Sequence, residues 1–110
     1  MSASACVVFY GLRYEVSDDE IEGLEMRSDP RMQAARKAGL KHYWANFGAP
    51  GERYLLFVGA NLGVLGPENS LEVVLRTTEL QAIIESTKAK LQAADLAGEP
   101  SLHVQWCEDA

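Results

Sequence analysis

The chain has 110 residues, 47% of them hydrophobic and 24% charged, with a net charge of −6. That length makes one domain, residues 1–110, with enough chain for a single core. The acid excess argues against a protein that grips a phosphate backbone, which needs a basic footprint. No apolar run approaches the ~20 residues that span a bilayer. The opening Met-Ser-Ala-Ser-Ala lacks the basic start and apolar core of an export signal. A cytoplasmic protein that avoids membrane and nucleic acid is therefore expected, with Cys6 and Cys107 as thiols.

Residues 5–16 read as a strand: apolar throughout at first, then alternating, with Tyr10, Leu12, Tyr14 and Val16 on one side. Ser17 followed by Glu20 is a capping box, and it predicts a short helix carrying Ile21 and Leu24 inward. Asp29-Pro30 restarts the helix as cap and first helical residue, and Gly39 closes it. Residues 40–47 form the next strand. The turn Gly48-Ala49-Pro50-Gly51 makes it a hairpin with Arg53–Ala60. From Tyr54 to Val58 no position is polar, the mark of a strand covered on both faces and hence central in a sheet. A Gly-rich turn is expected over 59–69, then a half-buried strand in which Leu71, Val73 and Leu75 alternate with Glu72, Val74 and Arg76. Thr77 or Thr78, the latter boxed with Gln81, caps the longest helix, whose stripe runs Leu80, Ile83, Ile84, Thr87, Leu91 and Ala94. The last strand is 101–107.

This order predicts an α+β fold: a single-layer, mostly antiparallel sheet of four or five strands with helices on one face, βαββ(β)αβ in sequence. A ferredoxin-like sandwich is the expected form. The expected core includes Val8, Tyr10, Leu56, Phe57, Val58, Leu80, Ile84 and Leu91.

Catalytic motifs are sparse. The glycines at 59, 63 and 66 lack the Gly-Lys-Ser/Thr ending of a phosphate loop and read as turn residues. Of Cys6, His42, His103 and Cys107, no two lie within three residues, so neither a metal site nor a cofactor is expected. The cluster that stands out is His42, Trp44 and Asn46, which a pleat sets in one row; Tyr43, Ala45 and Phe47 on the opposite side look like core. In a single-layer sandwich the first row would lie on the open face, as a dimer interface or the wall of a ligand pocket. Charge falls in blocks: six acids and no base from Glu15 to Glu25, then five bases and one acid from Arg27 to Lys41. Such blocks are solvated helix faces or a bipolar surface that orients a protein partner.

With no nucleophile–base pair in view, the reading that follows is a protein-interaction or regulatory module acting as a homodimer. The alternative is a small-ligand-binding protein or cofactor-free enzyme with its pocket beside His42 and Trp44.

Overall fold

The computed structural model describes residues 4–48 and 51–107; Ala49 and Pro50 of the expected turn lie outside them. Four strands and three helices follow in the order β1 (Ala5–Val16), α1 (Asp18–Glu25), α2 (Pro30–Ala38), β2 (Lys41–Asn46), β3 (Tyr54–Leu65), α3 (Thr77–Ala93) and β4 (Ser101–Cys107). The sheet runs β2-β3-β1-β4 with every neighbouring pair antiparallel. The two strands with unbroken apolar runs, β1 and β3, take the centre, as burial on both faces requires.

All three helices lie on one face. There Leu12, Leu56 and Val58 pack with Leu24 of α1, Met32 and Ala35 of α2, and Leu91 of α3. The other face holds a second cluster made from the sheet alone. Val7, Phe9, Leu55 and Phe57 are buried, with Tyr43 and Phe47 against them. The sheet covers this cluster by curling over it. Three flat strand spacings would hold β2 and β4 about 14 Å apart, yet the Cys107 thiol donates to the Asn46 carbonyl oxygen at 3.7 Å. Gly11 and Gly59, paired across β1 and β3, permit the curl. Both have positive φ, +151° and +153°, and a Cβ on either would fall 2.1–2.2 Å from a carbonyl oxygen of the opposing strand.

Several expectations for the middle of the chain are corrected. The glycines at 59 and 63 are not a turn: β3 continues through them to Leu65, and the chain turns after Gly66, where the Asn69 N–H bonds the Gly66 carbonyl. Residues 71–76 form no strand. Their alternation has another cause. Val73 lies over Gly63, where a Cβ would stand 2.6 Å from a valine methyl, so the segment packs flat on the sheet rather than pairing at its edge. α3 starts at Thr77 with Arg76 as its cap and no side-chain capping bond, so the expected threonine box does not form. Of the expected core, Leu80 and Ile84 are only half-buried. α3 buries Thr87 and Leu91 in its second half alone.

The α1–α2 junction follows its sequence signals. The Ser17 N–H donates to the Glu20 carboxylate at 3.0 Å. The Asp29 carboxylate caps α2, accepting from the Arg31 and Met32 amides at 2.8 and 3.4 Å. The Arg31 guanidinium then ties the pieces together, bonding Asp29 and Glu20 at 2.9 Å each and standing 5.0 Å over the Tyr14 ring. Asp29 is 6% exposed, so Arg31→Met strands a buried carboxylate. It is expected to cost about 2–4 kcal/mol in urea melts, below a fully buried pair because the guanidinium stays partly wet. The Arg31 side-chain bond, foremost, holds the Asp29 pKa below its ordinary value against the opposing effect of burial. A depressed folded pKa stabilises above the unfolded value and is lost as pH falls through the folded one. Stability should therefore decline below about pH 4, and Asp29→Asn should flatten that decline.

Candidate functional site

β2 is an edge strand, and its pleat sends His42 and Trp44 to the helix side, opposite Val58 and Leu56 of β3. The expectation that this row lies on an open face is corrected: the α1–α2 junction stands over it. Trp44 packs against the helix-side core, 6.2 Å from the Tyr54 ring. Between the strand and the junction remains a cleft of about 480 Å³, with Leu24, Met32 and Trp44 as apolar lining and His42, Arg27 and Arg36 as polar lining. Glu25 is the one acid there. Burial first, then the nearby Arg36 and Arg27, holds the His42 imidazole below its ordinary value of 6.5. It is neutral at pH 7 and offers one N–H donor.

Asn46 does not join this cleft. Its side-chain oxygen accepts from the Gly48 and Arg53 amides at 3.0 and 2.9 Å, closing the β2–β3 connection. His103 lies on the other face, edge-on to Phe57 at 5.7 Å, with Nε2 3.3 Å from the Gly11 carbonyl. The two histidines therefore serve different faces. Cys6 and Cys107 form no disulfide; they sit next to one another in the β1–β4 register but point to opposite faces. Among the described residues no three His, Cys, Asp or Glu side chains converge as metal ligands, and no helix is long and apolar enough to cross a membrane.

Arg27 and Arg36 escaped residue-by-residue reasoning, although both belong to the basic block read from the sequence. What the sequence did not reveal is that two members of that block would bracket His42.

A second surface lies on β4. In β4 the apolar side chains Leu102, Val104 and Trp106 point outward and are 55%, 62% and 52% exposed, while His103 and Gln105 are half-buried and Cys107 is buried. An amphipathic strand normally does the reverse. Next to this row runs an apolar groove of about 260 Å³ between Val8, Leu62, Leu65, Leu80, Leu102 and Val104. The 71–76 segment borders it, contributing Val73 and Leu75, and leaves Leu71 and Val74 exposed. Leu80 brings the start of α3 to the same groove. The alternation over 101–107 was legible; its direction was not, because period two shows which residues share a side but not which side is inward.

Comparison with family models, with curated proteins and with solved structures finds no match.

Proposed function

We propose that the protein is an interaction module that self-associates as a homodimer through the outer face of β4 and the adjoining groove. The inverted polarity of β4 carries this reading. Monomers rarely expose a contiguous apolar patch beyond a few hundred Å², and larger ones mark association sites.

A second copy fits the surface for two reasons. A row Leu102, Val104, Trp106 is self-complementary about a two-fold axis through Val104, which brings Leu102 of one copy to Trp106 of the other. Charge favours the same place. The chain carries −6 overall, so copies repel over most approaches, but residues 54–67 and 101–107 contain no charged side chain. Two acidic chains meet there at the lowest Coulomb cost.

Sedimentation velocity tests this. The wild type should sediment as a dimer in a concentration-dependent way. Val104→Glu should be monomeric, because each copy then presses an unpaired carboxylate into the contact at a cost of several kcal/mol. Val104 is exposed in the single chain, so thermal stability of the monomer should change by no more than about 0.5 kcal/mol. A wild type that stays monomeric at every concentration, or a Val104→Glu variant that remains dimeric, contradicts the proposal.

A further inference from the structure

The cleft over β2 lies on the other edge strand and needs a different explanation. We propose that it is a binding site for a small monoanionic aromatic carboxylate, whose ring stacks on Trp44 and whose carboxylate is held by Arg27 and Arg36. At about 480 Å³ it falls within the size of small-molecule sites.

The charges set the ligand class. Neither guanidinium meets an acceptor among the described residues, whereas Arg31 and Arg53 are both paired with carboxylates. Two free guanidiniums and Glu25 leave the lining at +1, which matches a monoanion; Glu25 opposes a dianion such as phosphate. The neutral His42 adds a hydrogen-bond donor. Leu24 and Met32 are buried at the base of the cleft, and the half-buried Trp44 ring is its flat apolar contact, which an inorganic anion would not use.

The backbone of Arg27 is the second, independent observation. α1 ends in a Schellman motif: the Ser28 N–H bonds the Gly23 carbonyl at 2.8 Å and the Arg27 N–H bonds that of Leu24 at 3.2 Å. This places Arg27 in the left-handed region at φ +59°, the position glycine fills without strain. α3 ends in the same way, but with Asp95 at φ +56°, a residue type that tolerates this conformation. An arginine held there against its backbone preference points to a use for its side chain.

The test is calorimetric titration of the wild-type protein with 2-naphthoate, its neutral isostere 2-naphthamide and inorganic phosphate, with amide NMR shifts to place the contact. 2-Naphthoate should bind more tightly than either control and shift amides of residues 24–44. Arg36→Gln and Arg27→Gly should each weaken it about tenfold, the loss of one charge-assisted bond. Arg27→Gly should melt at or above the wild-type temperature, since glycine relieves the strain; weaker binding then cannot be attributed to unfolding. The proposal is overturned if 2-naphthoate does not bind, if 2-naphthamide or phosphate binds as tightly, or if both arginine variants bind like the wild type.

Discussion

Replacing Phe57 with alanine is expected to remove about 3–5 kcal/mol of stability. Phe57 is 0% exposed, with ring centroids 5.6 Å from Phe9, 5.5 Å from Phe47 and 5.7 Å from His103. The curled sheet has no helix over this face to slide into the gap, and Gly11 and Gly59 fix the curl, so the site collapses poorly around a missing ring. A cavity that cannot collapse sits at the upper end of the range. Urea melts measure the change; a loss below about 1 kcal/mol would mean that the helix-free cluster is not a packed core.

Gly59→Ala should be comparably damaging although it adds one methyl group. The new Cβ would lie 2.2 Å from the Tyr10 carbonyl oxygen and 2.9 Å from the Gly11 Cα, both backbone atoms of a paired central strand. Neither can rotate away. Left-handed strain of about 1–3 kcal/mol and overpacking of about 1–3 kcal/mol act together. A loss of about 2–5 kcal/mol follows. Gly23→Ala is the matched control. It sits inside α1 with its nearest neighbour 3.8 Å from the added Cβ, and is expected to be neutral or to stabilise by up to about 1 kcal/mol. Equal effects from the two substitutions would mean that the glycine pair does not set the curl.

Local signals in the sequence served well where the physics is local. The Ser17–Glu20 box, the Asp29-Pro30 start and the Gly39 stop all stand where the sequence put them, because each needs only residues within one turn. The α+β class and the four long strands follow from apolar runs and periodicity. Failures came where one element's environment is set by a distant one. Thr78 and Gln81 satisfy the capping pattern, yet the helix is capped two residues earlier, at Arg76. The 71–76 alternation records contact with the sheet face at Gly63, which a sequence cannot distinguish from edge pairing. The His42/Trp44 row reads as an open face in the sequence because period two shows which residues share a side, not which side the helices take; the α1–α2 junction stands over it. The face without helices is covered instead by the curl of the sheet, over Val7, Phe9, Leu55 and Phe57.

The two tryptophans separate the two surfaces, since Trp44 faces the helices and Trp106 lies on β4. In a Trp44→Phe background, Trp106 is the only indole, and its emission across a dilution series is the most direct measurement of self-association through β4. At high concentration the emission should be blue-shifted, and it should move to the red on dilution in step with the sedimentation transition. Trp106 emission that stays constant while the protein passes from dimer to monomer would place the contact elsewhere and contradict the proposed interface.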